Sequence, residues 1–327
     1  MVEAGLGGEL RVEGPGEQST IVTVRCRYEE QYSVYRGSLY SHVVIPPIVS
    51  IVVPAHNEEA VLANGLSRLL DGTAPGEFDV VVVANACSDR TAEVAAKAGV
   101  RVVETVAPGK ANALRLGDEE CRTFPRAYVD ADVELTAQSV RALVAAAAEP
   151  GVLACAPVPR WDLSGAGRIA VRVHKVHEQL IAPYRALSGV GVYVLTEEGH
   201  ARVFPMPDVI SDDGLVHRSF TPEERRVVRD AWSLVRPART VSGHLKRRVR
   251  VRQGNRQLDA LGAPLPEGRL ELGALRALVA TRRVSPLDAA CYLAVLVLDR
   301  VLTRVRTLRG RQGHWGTDAS SRTAMGG

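Results

Sequence analysis

Between residues 48 and 157, short runs dominated by valine alternate with stretches of helical periodicity, and this alternation limits the fold more than any other feature of the chain. The run IVSIVV precedes a helical pattern from Glu58 to Leu70, and FDVVVVAN precedes one from Asp89 to Gly99. Val100–Glu104 predicts a third strand with its helix over Lys110–Cys121. Ala127–Val129 predicts a fourth, followed by an alanine-rich helix over Thr136–Ala148 with Thr136 as N-cap. Runs too apolar to keep one face in water fit strands buried on both sides of a parallel sheet. The expected class is therefore α/β and Rossmann-like, a mostly parallel sheet flanked by helices. In such sheets ligands sit beyond the carboxyl ends of the strands, so the residues just after each run come first in any search for function.

The remainder is less periodic. Residues 1–18, rich in Gly and Glu, predict a flexible tail, and 19–47 an N-terminal extension with one alternating strand in STIVTVRCRY. Beyond residue 157 the pattern predicts a helix over Ala166–Leu187, a strand in SGVGVYVL and a strand over Arg226–Val235 ended by Pro237. A basic helix over Thr240–Asn255 follows, and then a C-terminal helix over Ser285–Arg306 with Ser285 as N-cap. Leu287, Cys291, Val295, Leu298 and Leu302 would form one face of that last helix. With 46% hydrophobic and 24% charged residues, 327 residues can bury a substantial core, which excludes wholesale disorder.

The net charge of +4 says little, but its distribution says more. Arg218–Arg256 carries twelve Lys and Arg against Glu223, Glu224 and Asp230, a local excess that favours a phosphate-bearing or anionic partner. A nucleic-acid partner is not expected, because the basic helix lacks interleaved aromatic residues. Five scattered cysteines without a CxxC pair indicate neither a disulfide framework nor a thiolate zinc site. The first residues show neither a basic nor an apolar signal region, and the longest apolar run, Ala289–Leu298, is too short to span a bilayer. A cytoplasmic protein is expected.

Three polar groups follow the predicted strands: Pro54-Ala55-His56-Asn57-Glu58-Glu59, Asn85-Ala86-Cys87-Ser88-Asp89 and Asp130-Ala131-Asp132. Two carboxylates spaced i and i+2 past a strand end can face one hard cation. One or two carboxylates plus substrate phosphates is the usual way Mg²⁺ is held. The plain alternative for Asp130 and Asp132 is an Asp turn leading into the helix at Thr136. A phosphate loop of the Walker type is excluded by Glu104 and Ala111, which occupy its Gly and Ser/Thr positions.

The succession VSIVVPAHNEE, DVVVVANACSDRTAEVA, GKANALRLG and AYVDAD resembles the family-2 glycosyltransferases of GT-A fold, over about residues 48 to 257. The resemblance implies transfer of a sugar from a nucleotide-diphosphate donor, a UDP- or GDP-sugar, to an acceptor hydroxyl on a glycan, a lipid-linked group or a small molecule. It also implies a Mg²⁺ or Mn²⁺ ion at Asp130 and Asp132. Pro54, His56, Asn57 and Glu58 would lie beside the nucleoside. Asn85 takes the base-reading position where the family commonly has Asp; an Asx cap on the helix at Asp89 is the alternative. Lys110 would meet the donor phosphates or sugar, or else be a solvated first-turn lysine. Ser211-Asp212-Asp213-Gly214-Leu215 resembles the family's acidic pair, with Asp213 as catalytic base of an inverting reaction and Asp212 orienting its neighbour or the acceptor. The alternative is two solvated turn aspartates.

Arg247-Arg248-Val249-Arg250-Val251-Arg252-Gln253-Gly254 resembles the family's QRxRWxxG segment. Arg250 would then neutralise the departing diphosphate, Arg247 would replace the Gln, and Val251 would replace the Trp that stacks on acceptor sugar in processive synthases. A non-processive enzyme is implied. Arg248 and Arg252 are expected on a solvated helix face. His217 and His244 are weaker candidates for metal or diphosphate contacts, and HWGTDASSR near the C-terminus resembles a tail of some relatives. The expected layout is a nucleotide-sugar-binding half at 48–157, an acceptor and catalytic half at 158–257, and a C-terminal extension at 258–327. Arginines flanking the helix at 285–306 suit either packing on the catalytic domain or peripheral contact with a membrane. A retaining or nucleotide-sugar-handling enzyme on the same fold, and a non-catalytic nucleotide-sugar-binding module, are the alternative readings.

Overall fold

Valine and isoleucine branch at Cβ and pack well on a pleated surface, and the valine runs do form strands. The computed structural model describes residues 10–13, 21–25, 31–34, 46–263 and 272–308, which fall into two units, 1–46 and 47–327. In the first, β1 (Leu10–Glu13), β2 (Ile21–Arg25) and β3 (Gln31–Val34) form an antiparallel sheet in that order. Within the expected tail over 1–18, only Leu10–Glu13 is among the described residues, and as β1 it pairs with β2. The HWGTDASSR segment lies outside the described residues.

The second unit begins with β4 (Val49–Ala55), α1 (Glu59–Leu70), β5 (Phe78–Asn85), α2 (Thr91–Lys97), β6 (Arg101–Thr105), α3 (Lys110–Glu119) and β7 (Arg126–Val129). It continues through β8 (Glu134–Leu135), α4 (Ala137–Ala147), β9 (Ala154–Trp161), α5 (Arg168–Ile181), β10 (Val192–Leu195), α6 (Glu197–Val203), α7 (Asp212–Ser219) and β11 (Arg225–Val235). Three helices close it: α8 (Val241–Ala260), α9 (Leu272–Ala280) and α10 (Pro286–Leu308). One eight-stranded sheet runs β6-β5-β4-β7-β10-β9-β11-β8. The pairs among β4, β5, β6 and β7 are parallel, as expected, while β10 lies antiparallel between β7 and β9.

Alternate valines of β5 face opposite layers. Val80 and Val82 pack with Leu62, Leu66 and Leu143 of α1 and α4, whereas Val81 and Val83 pack with Ala113 of α3. Gly117 lets α3 approach the sheet so closely that a Cβ there would lie 2.9 Å from a Val83 methyl. The helix over Thr136–Ala148 is capped as expected, with the Thr136 hydroxyl accepting from the Ser139 N–H. The C-terminal helices build a smaller core on α5, from Val173, Val176 and Leu180 against Leu275, Tyr292 and Val295. Here the expected face of α10 is corrected. Leu287 and Leu298 are exposed, and Ala289, Tyr292 and Val295 face inward. The helix is apolar almost all round, so its own periodicity does not say which stripe the neighbours cover.

Candidate active site

Strand β4 is where the sheet changes direction of growth, with β5 and β6 on one side and β7 on the other. A crevice opens beyond the carboxyl ends of strands at such a point. The loops after β4 and β5 are stitched together along one rim of it. His56 Nδ1 donates to the Asn85 carbonyl at 2.7 Å. Asn57 Oδ1 accepts from the Ser88 N–H at 2.8 Å, and the Glu58 N–H donates to Thr91 Oγ1 at 2.9 Å. Asn57 and Ala86 both take positive φ, 54° and 48°, a strained conformation for side-chain-bearing residues and one that gathers at functional sites. Pro54, the penultimate residue of β4, is half-buried.

Asn85 does not cap α2. Asp89 lies where both helices begin, accepting from the N–H of Thr91, first residue of α2, at 3.0 Å and from the N–H of Glu59, first residue of α1, at 3.1 Å. The Asn85 side chain is only 6% exposed, and its Oδ1 has no hydrogen-bond partner. Buried amide oxygens are normally satisfied, and this one is among the few buried side-chain atoms of the described residues that are not.

A cluster of opposite charges forms the other rim. Lys110 is the first residue of α3, and its Nζ lies 2.6 Å from Asp130 Oδ1 and 2.9 Å from Asp212 Oδ1. The protein crowding Lys110 would lower its pKa, but Asp130, Asp212 and Asp213 outweigh that and hold it above the ordinary lysine value. It is therefore the hub of the cluster rather than a solvated first-turn lysine. Asp212 and Asp213 open α7 and are not solvated turn residues either; Asp212 is 4% exposed. Burial raises the Asp212 carboxyl above its ordinary value, with Lys110 opposing. Asp213 accepts from the Gly189 N–H at 2.7 Å, the Gly214 N–H at 2.8 Å and the Ser211 hydroxyl at 2.9 Å. Its surroundings would raise it, but Lys110 and those three donors hold its carboxyl below the usual carboxylate value.

Asp132 belongs to the same field, since Asp213, Asp132 and Asp130 all stabilise the charge of Arg247. Surrounding protein and the neighbouring Arg250 outweigh them and lower the Arg247 pKa. The aspartates at the end of β7, the acidic pair of α7 and Arg247 of α8 therefore share one electrostatic neighbourhood, although the sequence separates them widely.

The packing that makes this possible is tight. Gly191 has φ +69°, and a Cβ there would overlap the Val133 side chain and lie 3.4 Å from Asp130 Oδ2. A Cβ on Gly254 would sit 2.9 Å from Ser211 Cβ, so α8 seats directly against the turn that carries the acidic pair. Sequence reasoning missed Tyr193, whose hydroxyl donates to Asp212 Oδ2 at 3.4 Å. It also missed Tyr128, stacked on Tyr193 with ring centroids 5.0 Å apart and donating to Asp118 at 2.6 Å. Two tyrosines in otherwise aliphatic strands were the available signal, because a buried Tyr hydroxyl needs a partner.

The basic block Arg218–Arg256, expected as one anion-binding surface, is divided. Arg218 pairs with Asp259 at 2.7 Å, Arg236 with Glu134 and Asp162, and Arg226 with Glu149 at 3.1 Å. Arg248 and Arg252 are not on a solvated face as expected. Both grip the buried Asp299 of α10, Arg248 Nε at 2.9 Å. Arg247 lies in the field of Asp213, Asp132 and Asp130, with Arg250 beside it. His217 lies against Arg225, its carbonyl accepting from Arg225 Nη1 at 3.0 Å. His244 joins His174 and His177 in a cluster behind Arg247. Burial lowers these three imidazoles to about 4, about 4 and about 3 for His174, His244 and His177.

Among the described residues, no three His, Cys, Asp or Glu side chains come together as a metal-binding group. A cation held by one or two carboxylates and by substrate phosphates does not require three. Asp130, with 38% of its side chain exposed, and the half-buried Asp132 offer hard oxygen donors of that kind at the mouth of the cleft.

A sequence model described as glycosyl transferase family 2 matches residues 50–187. No curated protein matches the chain. Among solved structures, a mannosyltransferase from Pyrobaculum calidifontis, determined with GDP-Man and Mn²⁺, superposes with a TM-score of 0.52 at 18% identity, covering 82% of both chains. A mycobacterial protein gives a TM-score of 0.41 at 24% identity, covering 57% of this chain and 65% of its own length. Glucosyl-3-phosphoglycerate synthase from Mycobacterium tuberculosis gives 0.40 at 22% identity, covering 59% and 70%. The mannosyltransferase shares the overall fold; the other two align over little more than half of this chain. Strands and sequence match agree: residues 50–187 are similar to glycosyl transferase family 2, and the chain has a fold of the GT-A type.

Proposed function

We propose that this protein transfers one sugar at a time from a UDP- or GDP-sugar to an acceptor hydroxyl, with inversion at the anomeric carbon. The observation that carries this reading is the convergence of Asp130, Asp212 and Lys110 in one charge cluster at the switch point of the sheet. The buried Asn85 amide, with an unmatched Oδ1, supports the choice of base. An amide donates and accepts side by side, and uracil and guanine share an imide-like N–H beside a carbonyl that complements it.

Asp132 and Asp130 would hold a Mg²⁺ or Mn²⁺ ion together with the donor diphosphate; the P. calidifontis mannosyltransferase was solved with Mn²⁺. When bound, that ion supplies Lewis-acid stabilisation of charge on the leaving diphosphate. The chain's own residues do the rest. Lys110 and Arg250 neutralise phosphate charge, and Arg247 extends that positive wall. Asp213 is ionised and lies on the side of the acidic pair facing Arg247. It accepts the proton of the acceptor hydroxyl as that oxygen attacks. Asp212, nearly sealed off from solvent, holds Lys110 in place rather than touching acceptor. Val251, 49% exposed where processive synthases place a stacking ring, supports single transfers.

Among the described residues no helix is long and apolar enough to cross a membrane, and the reading places the enzyme in the cytoplasm. The experiment is a screen of UDP- and GDP-sugars with Mn²⁺ and a panel of acceptor alcohols, with proton NMR of the product linkage. An anomer opposite to that of the donor is expected. A product of retained configuration would remove the role given to Asp213, and no turnover with any donor would leave only a binding module.

A further inference from the structure

Helix α10 carries a surface that the catalytic reading does not use. Leu287, Leu293, Val297, Leu298 and Val301 are 42% to 57% exposed, while Ala289, Tyr292 and Val295 on the opposite side are packed into the core with α5 and α9. At 3.6 residues per turn the five exposed side chains fall within one arc of about 140°. Arg300 and Arg304 are exposed at the far end of this stripe, and Arg282 and Arg283 are exposed in the turn that precedes the helix. The two acidic residues of α10 are turned to the packed side. Asp288 pairs with Arg172 of α5, and Asp299 with Arg248 and Arg252 of α8. The outward face of α10 is thus apolar and rimmed at both ends by arginine, and among the described residues the helix places no carboxylate on it.

An isologous contact with a second copy would be two-fold symmetric, and in an antiparallel helix pairing it would bring the two arginine rims together. An anionic bilayer satisfies both parts of the surface at once, taking apolar side chains into the acyl boundary and guanidinium groups among phosphate headgroups. We propose that α10 docks the protein on anionic membrane surfaces, lying in the interface without crossing it. This proposal does not depend on the sugar donor or on the catalytic assignments.

The test is co-sedimentation of the full chain with vesicles of phosphatidylcholine alone or containing phosphatidylglycerol, together with light scattering in solution. Binding to the anionic vesicles, its absence on phosphatidylcholine, and release by high salt are expected. Arg300→Glu with Arg304→Glu should weaken partitioning by about tenfold or more, each basic residue being worth a factor of about five near an anionic surface. Leu293→Glu with Val297→Glu should weaken it at least as much, with far-UV circular dichroism and nucleotide affinity unchanged. Equal sedimentation with both vesicle types, wild-type binding by either double variant, or a dimer that Val297→Glu dissociates would overturn the proposal.

Discussion

One aspartate from each of two acidic pairs meets the same lysine, and the fold holds the two pairs in opposite ways. Asp130 and Asp132 follow a strand end at the open mouth of the cleft, with 38% of the Asp130 side chain exposed. Asp212 and Asp213 begin a helix. The first is sealed off, and the second is clamped by three hydrogen-bond donors. An open pair can exchange partners, as binding and releasing a cation and a diphosphate requires. A clamped pair keeps one position, which suits the proposed base, since it must face the same hydroxyl in every cycle. In the proposed reaction, this contrast divides the site into a binding end and a reacting end.

The strongest way to break that division is Asp213→Asn. If the pair reacts rather than binds, kcat should fall by about 10² to 10⁴ while donor KM changes little; a proportionate rise in KM would make Asp213 a binding residue. Arg250→Ala should cost about 10² in kcat, the range for removing one group that stabilises developing charge. Arg252→Ala, on the side of α8 that grips Asp299, should leave turnover near wild type. Equal kinetic losses would mean that α8 is not divided into two faces.

Asp299→Ala should act on stability alone, by about 1–3 kcal/mol for the hydrogen-bonded charge it removes. That is several degrees in Tm for a unit of this size. The smallest effect concerns pH. His174, His177 and His244 are crowded by Arg247 and Arg248 and by one another, with Glu178 and Asp299 nearby. Their folded pKa values of about 4, about 3 and about 4 lie below the unfolded value of 6.5. The unfolded chain therefore binds protons first, so stability is complete above about pH 6.5 and is lost as pH falls toward 4. Thermal melts across that range should show the decline, and His177→Gln should flatten it.

The parallel half of the sheet was legible because double-sided burial writes itself as unbroken valine runs, and strand ends then single out Asn85, Asp130 and Asp132. The antiparallel insertion of β10 beside β7 was not, since SGVGVYVL looks the same in either direction. Nor did the basic block reveal its division. An arginine that meets a distant carboxylate such as Asp299 has the same local sequence as one facing solvent, and only the packing of α8 against α10 tells Arg248 from Arg247. The clamp on Asp213 was hidden for a related reason: its donors include main-chain N–H groups, which every residue but proline carries. The glycines at 189 and 191 marked a turn, not a hydrogen bond to a residue more than twenty positions away.

The most direct test of the divided cleft is calorimetric titration of UDP and GDP into the wild type, Asp132→Ala and Asp213→Asn, each with and without Mn²⁺. The account predicts Mn²⁺-dependent binding in the wild type, an undiminished affinity in Asp213→Asn and a loss of about tenfold or more in Asp132→Ala. Metal-independent binding of equal strength in all three proteins would contradict it.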